Sequence, residues 1–297
     1  MKSLDTLVES FKKVWENPKI VLVPFGFYLI QLVIGAIMVA LLLGSTFNFS
    51  FFEFLSNPTE ALLNFSKDLG KLFAIGMGLI IFAILWLIIS FSIFPLLHGI
   101  LISAGKQAKK EKNVDLKKAF EEAKQKYFSL LGIYLIILGI LAFIVIISIL
   151  MVVFSFVVSV GMGIAVFLIL LIISLSLGVV LGVWFFEAPV LVFTENKGAI
   201  EAIKRSIFLG NKKFLSILAS IFFYIISAIA INVVFQIVSF PLQVGISFSF
   251  LSPTALLFTG ILLVLFGLIG LAISAFLFAV YAILPVNFYY NYDLEKV

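Results

Sequence analysis

Cysteine is absent from the sequence, and histidine occurs once, at His98. The lack of cysteine excludes disulfides, thiol nucleophiles and cysteine-ligated metal sites. A single histidine argues against a histidine-rich metal centre. Charged residues are scarce as well, at 12% of the chain, whereas soluble domains carry about 25%. A soluble fold could not cover the apolar surface that remains, so the composition favours a protein that lies within a lipid bilayer.

Hydrophobic residues make up 63% of the chain, and they fall into runs long enough for membrane helices, which need about 20 residues each. The short alternating segments typical of a membrane β-barrel are not seen in the sequence. We therefore predict an all-α fold, a polytopic membrane helical bundle that forms one membrane domain over residues 1–297. The six predicted spans are residues 20–43, 72–103, 129–156, 163–193, 214–244 and 254–289.

Basic residues are distributed unevenly around these spans. All of them lie before the first span, between the second and third, between the fourth and fifth, or in the tail, except Lys67 and Lys71. The positive-inside rule predicts that the lysine-rich side is cytoplasmic. Both termini are then cytoplasmic, which requires an even number of spans and agrees with six. We expect a multi-pass protein of the cell membrane.

Three segments on the basic side share a helical pattern. They are TLVESFKKVW from Thr6, DLKKAFEEAK from Asp115 and GAIEAIKRSI from Gly198. In each segment, apolar residues recur on one helical face, and lysines or acids occupy the other. This pattern predicts three amphipathic helices on the cytoplasmic surface, with their apolar faces toward lipid or toward the bundle.

Prolines recur near the cytoplasmic ends of alternate spans, at Pro95, Pro189 and Pro285. Because a proline removes a backbone donor, it bends a helix, and we predict a bend at each position. One unit of an amphipathic helix and two spans would then occur three times. The approximate repeats are residues 4–104, 113–195 and 198–292. Coincidence among prolines in a low-complexity apolar sequence is the alternative.

The stretch FEAPVLVFTENKGAIEAIKRSIFLGNKKF, which begins at Phe186, carries Pro-Val-Leu-Val, Glu195, Gly198 and a downstream Lys-Phe. It resembles a group of prokaryotic membrane proteins that includes the membrane domain attached to some glycerophosphodiester phosphodiesterases. The resemblance implies a six-span architecture and little chemistry. Since the 297 residues are taken up by spans and connections, we do not carry the phosphodiesterase activity over to them.

One acid, Glu187, lies inside the apolar stretch of a span, seven residues before Thr194. An ionisable group that faces lipid at this depth costs about 2–3 kcal/mol, so we expect Glu187 to face the bundle or reach toward water. If the repeats pack symmetrically, Glu187, His98 and Asn287 would converge on a polar, proton-binding cavity near the cytoplasmic side. The alternatives are a hydrogen-bonded packing cluster and three residues that never meet.

Asn232 and Gln236 lie one turn apart in the fifth span, and Gln31 of the first span is a candidate partner. Amides within membrane helices bridge neighbouring helices, so we expect packing here rather than a substrate site. The lysines of KQAKKEKNVDLKKAF could contact anionic lipid headgroups, although the positive-inside bias alone explains most of them. Membrane lipids are the expected partners, and nucleic acid is not.

The sequence carries no Walker loop, no H-E-x-x-H, no G-x-S-x-G and no convincing pair of acids. We therefore predict no catalytic residue, no cofactor and no metal site. The expected function is that of a non-enzymatic membrane scaffold that interacts with a partner or with lipids. A small transporter or lipid-handling channel built on the cavity around Glu187 is the main alternative, and an intramembrane enzyme is the least favoured.

Overall fold

The computed structural model describes residues 2–47, 69–111, 113–249 and 253–296. These residues are helical apart from short connections; residues 48–68, with Lys67, lie outside the described ranges. The helices are α1 (Lys2–Glu16), α2 (Lys19–Phe47), α3 (Leu69–Lys110), α4 (Leu116–Val158), α5 (Val160–Phe185), α6 (Ala188–Thr194), α7 (Ala199–Lys212), α8 (Phe214–Ser249) and α9 (Pro253–Asn291), followed by a 3-10 helix (Leu294–Lys296).

Six of these stretches are long and apolar enough to cross a membrane. They are Lys19–Met38, Gly76–Lys110, Leu116–Val158, Val160–Thr194, Phe214–Pro241 and Gly260–Asn291. They confirm the prediction of an all-α bundle with six membrane helices, and the chain is a multi-span membrane protein. The outer faces of the spans expose large apolar side chains such as Phe143, at 65%. In water such exposure would cost about 25 cal/mol per Å², whereas lipid tails accept it.

The second amphipathic segment differs from its prediction. The sequence suggests a separate surface helix from Asp115, but the structure makes this segment the first turns of the continuous helix α4. Asp115 caps the start, and its carboxylate accepts the backbone N–H groups of Lys117 and Lys118. No proline follows before α4 ends, so nothing in the backbone interrupts the helix. By contrast, Asn17 and Pro18 separate α1 from α2.

Contacts divide the chain into two units, Met1–Pro24 with Pro95–Val297 and Phe25–Phe94. In the smaller unit, Gln31 of α2 donates a hydrogen bond from Nε2 to Ser90 Oγ of α3, at 2.9 Å. In the larger unit, α4 packs along α5 and α8 packs along α9.

The buried core of the larger unit lies at one end of its helices. Here α1, α7, the start of α4, α6 and the last turns of α3 and α9 meet, and we call this region the basic end. Its buried apolar side chains include Leu101, Leu130, Leu191 and Ile283. In the most apolar windows of the spans, at most 11% of the residues are buried. Tight packing is therefore concentrated at the basic end. Most side chains in the apolar windows of the spans lie at the surface, where lipid can contact them.

Candidate functional site at the basic end

The three prolines do not share one local structure. The helix is interrupted before Pro189, because α5 ends at Phe185 and α6 begins at Ala188. At Pro95 and Pro285 the helices α3 and α9 continue without interruption.

The interruption before Pro189 exposes carbonyl groups in the last turn of α5, which have no partner within the helix. Ser206 of α7 donates its hydroxyl hydrogen to one of them, the carbonyl of Trp184, at 2.6 Å. A residue from a different helix therefore stabilises the break.

Glu187 lies at this interruption and is fully buried. Neither of its carboxylate oxygens has a hydrogen-bond partner among the described residues. The preceding side chain, Phe186, packs edge-on against Phe288 of α9, with ring centroids 5.9 Å apart. A carboxyl group that is buried without a partner lacks the hydrogen bonds that it would make in water. The side chain thus lies inside the protein rather than in lipid, and it is the least satisfied polar group at the basic end.

Asn287 is also fully buried, and it fixes α9 to α1. Its Nδ2 donates to Ser10 Oγ at 2.9 Å, and Ser10 in turn donates to the Thr6 carbonyl at 2.9 Å. One turn later, Asn291 donates to Glu9 Oε2 at 2.8 Å. The polar residues of α1 therefore form a ladder with two asparagines of α9.

His98 belongs to a different cluster. Its Nδ1 shares a hydrogen bond with the Tyr134 hydroxyl of α4, and its ring stacks on Tyr281 of α9, with centroids 6.2 Å apart. The ring of Phe278, also on α9, is tilted against the imidazole, with centroids 6.1 Å apart. Asn287 lies six residues beyond Tyr281, which is about 9 Å further along α9. His98 therefore packs against α9 at a different level from Asn287.

The three residues expected to form one polar cavity are all buried in the larger unit. Asn287 bonds to α1, and His98 belongs to an aromatic cluster. Glu187 follows Phe186, which packs on Phe288, the residue after Asn287. Their convergence on a single cavity stays a prediction.

Each amphipathic segment packs against the end of a different span. We use "the three amphipathic segments" for α1, residues 116–127 of α4, and α7. The first packs on α9 through the Ser10–Asn287 hydrogen bond. The second packs on α3, where a Cβ added at Gly99 would lie 3.1 Å from that of Ala123. The third packs on α5, where a Cβ added at Gly210 would lie 3.2 Å from the Val183 carbonyl oxygen.

The buried positions of the three amphipathic segments correspond when the segments are aligned from Thr6, Asp115 and Gly198. The fifth aligned position is Ser10, Ala119 or Ala202, and the ninth is Val14, Ala123 or Ser206; all are buried. These residues are small or β-branched and lie one turn apart. They allow each segment to approach its span end closely.

Half-buried ion pairs connect the amphipathic segments to the spans. Lys106 of α3 lies 2.7 Å from Glu122 of α4, and Lys109 of α3 lies 2.5 Å from Glu9 of α1. Burial raises the pKa of Glu9, but hydrogen bonds from Lys109 and Asn291 and the nearby positive charges outweigh it, so the pKa of Glu9 is lowered overall. The carboxylate of Glu9 is therefore held in its charged form.

Large apolar side chains are also exposed on the three amphipathic segments, among the charged ones. On α1, Val8 is 58% exposed and Trp15 is 79% exposed. Exposed apolar residues on the start of α4 and around α7 include Phe120, Phe128, Ile200, Phe208 and Leu215. Large apolar and aromatic side chains at such a position are typical of helices in the interface of a bilayer.

A groove of about 340 Å³ lies between the end of α3 and the start of α4. It is lined by both signs of charge, including Lys110, Lys118, Glu111 and Glu121. Within the described ranges, no three histidine, aspartate or glutamate side chains are grouped as metal ligands would be. The groove can therefore offer hydrogen bonds and charges of both signs to a polar ligand.

The other predicted polar pair lies away from the basic end. Asn232 and Gln236 are exposed on α8, and Asn232 Nδ2 donates to the Ala228 carbonyl at 2.8 Å. Gln31, their candidate partner, has its amide engaged with Ser90.

A model for a domain of unknown function, DUF7847, matches residues 1–291. The chain belongs to the DUF7847 family. The match covers all six candidate spans, so every site described above lies within the DUF7847 domain. No curated protein and no solved structure matches the chain. The resemblance of this DUF7847 protein to the membrane domain of glycerophosphodiester phosphodiesterases stays a prediction.

Proposed function

We propose that this DUF7847 protein is a non-enzymatic membrane scaffold that organises lipids in one leaflet through its three amphipathic segments. The observation that carries this proposal is the two-sided character of the segments. Small residues such as Ser10 and Ala119 are buried against span ends, while Val8, Trp15 and Phe120 are exposed. Such a segment is held rigidly by the bundle and still presents apolar side chains to lipid.

The proposal includes three repeats, over residues 4–104, 113–195 and 198–292. It is supported by the order of the contacts. The segment that opens the second repeat packs on α3 of the first, and α7 of the third packs on α5 of the second. The segment of the first repeat, α1, packs on α9 of the third. Three repeats would place three similar amphipathic segments in contact with lipid.

We place the basic end on the cytoplasmic side, where anionic lipids attract basic segments by about 1 kcal/mol per lysine. Lysines on the exposed side of the segments, such as Lys12, would supply this attraction. The mixed charges of the groove around Lys110 and Glu111 provide a polar surface at the same level. The scaffold would thus combine apolar insertion with attraction to headgroups.

The test is the composition of the lipid shell around the reconstituted protein. In nanodiscs that contain anionic and zwitterionic lipids, spin-labelled anionic lipid should be enriched in the motionally restricted fraction. Replacing Val8 and Trp15 by glutamine should reduce the restricted fraction, because α1 would no longer insert. A Lys12→Arg variant keeps the charge and serves as the control. An unchanged lipid shell in the glutamine variant, with the fold intact, would contradict the proposal.

A second candidate function is a proton-linked transporter, and Glu187 is the observation that favours it. A buried carboxyl group whose oxygens lack partners can bind and release a proton when a path to water opens. Because Glu187 is fully buried, the transporter requires a conformational opening that the scaffold does not. Proteoliposomes under a pH gradient distinguish the two functions. A proton flux that disappears in Glu187→Gln supports transport. The absence of flux in the unmodified protein excludes the transporter.

A further inference from the structure

A groove on the membrane-spanning part of α8 has the form of a helix-docking surface. It has a volume of about 430 Å³ and lies within the span Phe214–Pro241. Its lining consists of two rows of residues four apart, Tyr224, Ala228, Asn232 and Gln236 in one row and Ile225, Ile229, Val233 and Ile237 in the other. We call this surface the α8 groove.

Residues four apart form the ridges of a helix, and a ridge of one helix packs into the groove between two ridges of another. The α8 groove has this geometry, with an apolar ridge on one side and an amide-bearing ridge on the other. The apolar ridge is open, because Ile229 is 57% exposed and Ile237 is 67% exposed. Ala228 is the small residue that allows a second backbone to approach closely.

The Asn232 amide indicates that the occupant is a protein helix rather than lipid alone. Asn232 uses one amide hydrogen in its bond to the Ala228 carbonyl, which leaves Oδ1 and a second hydrogen for another partner. Lipid tails offer neither donors nor acceptors, so an amide in contact with them loses the hydrogen bonds it would make in water. A helix that carries donors and acceptors at the same depth restores them. Gln236, one turn further, lies on the same ridge.

We propose that the α8 groove binds the α8 groove of a second copy of this chain. Two copies in one membrane share their orientation, so their α8 helices run parallel around a two-fold axis along the membrane normal. Twofold symmetry brings Asn232 of one copy close to the same residue of the other. An amide both donates and accepts, so the two identical ridges satisfy each other. Packing of this kind gives a right-handed crossing of about −40° to −50°.

The first test uses disulfide trapping, since the chain has no cysteine of its own. Single cysteines are introduced as Ala228→Cys and, for the control, Val234→Cys, and each variant is oxidised in liposomes. Val234 is 61% exposed and lies on the opposite face of α8, six residues further along the helix. Ala228→Cys should form a covalent dimer and Val234→Cys should not. Equal trapping at both positions, or trapping at neither, would overturn the proposal.

The second test measures affinity by energy transfer between labelled copies as the protein-to-lipid ratio is varied. Replacement of Asn232 by leucine keeps the size and removes the hydrogen bonds. This change should weaken dimerisation about tenfold, whereas Val234→Leu should leave it unchanged. Both substituted residues are exposed, so the fold should survive, and helicity by circular dichroism checks this. A purified protein that stays monomeric at every ratio, or an Asn232→Leu variant with unchanged affinity, refutes the second copy as the occupant.

Discussion

Gly99 of α3 is the position where docking of the second amphipathic segment can be tested with one methyl group. A Cβ at this position would lie 2.8 Å from Leu130 Cδ1, 3.1 Å from Ala123 Cβ and 3.2 Å from Phe193 Cζ. The Leu130 methyl group belongs to a flexible side chain and can move, but Leu130 is fully buried. The Ala123 side chain has no rotamers, so its Cβ can move only with the backbone. Substitution by alanine must therefore push α4 away from α3.

The magnitude follows from two opposing effects. Overpacking of a close-packed core costs about 1–3 kcal/mol, whereas replacing a helical glycine by alanine recovers about 0.5–1 kcal/mol. We expect Gly99→Ala to lower the free energy of unfolding by about 1–2 kcal/mol. The control is Gly139→Ala in the same helix as Ala123, because a Cβ at Gly139 would meet nothing within 4 Å. That variant should be as stable as the unmodified protein or slightly more stable.

The assay is reversible unfolding by sodium dodecyl sulfate in mixed micelles, followed by circular dichroism. A Gly99→Ala variant as stable as Gly139→Ala would refute the close approach of residues 116–127 to α3.

Further predictions use the same unfolding assay. Because the pKa of Glu9 is lowered from the ordinary 4.5, its contribution to stability is fully present above that pH and is lost as the pH falls through the lower folded value; Glu9→Gln should remove this acid dependence, and exposed Glu16→Gln should not. Asn287→Ala leaves Ser10 without a donor and should cost about 1–3 kcal/mol; a neutral result would contradict the buried ladder between α1 and α9. Ser206→Ala, which leaves a carbonyl at the break before Pro189 unpaired, should cost about 1–2 kcal/mol, and a cost below that of an exposed Ser92→Ala would contradict its capping role.

The spans could be predicted from the sequence because their signal is local. A run of apolar residues has the same meaning wherever the chain places it, and six helices follow from six runs. Amphipathic segments are local signals too, and so is the separation of α1 from α2 at Pro18. The continuity of α4 differs from the prediction because the amphipathic pattern and the apolar run are two separate signals in the sequence, although one helix contains both. The lack of proline over Leu116–Val158 was the available signal.

The behaviour of the prolines could not be read from their neighbours in the sequence. Pro95 and Pro189 both lie near the end of an apolar run, yet only the second follows an interrupted helix. The interruption is stabilised by Ser206, which belongs to another helix, so the signal is tertiary. A rule based on proline alone therefore predicts the same bend at both positions.

The contacts of the candidate site residues were equally inaccessible. The pairing of His98 with Tyr134 and Tyr281 joins three helices, and no spacing in the sequence indicates it. Thr6 and Ser10 of α1 are not among the predicted site residues, although they are one turn apart on the face that also carries Val14. Polar residues on the apolar face of an amphipathic helix were the signal for the ladder to α9.

The central claim is that the amphipathic segments lie in the bilayer interface while they are docked on the span ends. The most direct measurement is the fluorescence of Trp15, with Trp86 and Trp184 replaced by phenylalanine, in vesicles of lipids brominated at different depths. Quenching should be strongest for bromines close to the headgroup, and iodide in the water should quench weakly. Strong quenching by iodide with no effect of any brominated lipid would place α1 in water and contradict the account.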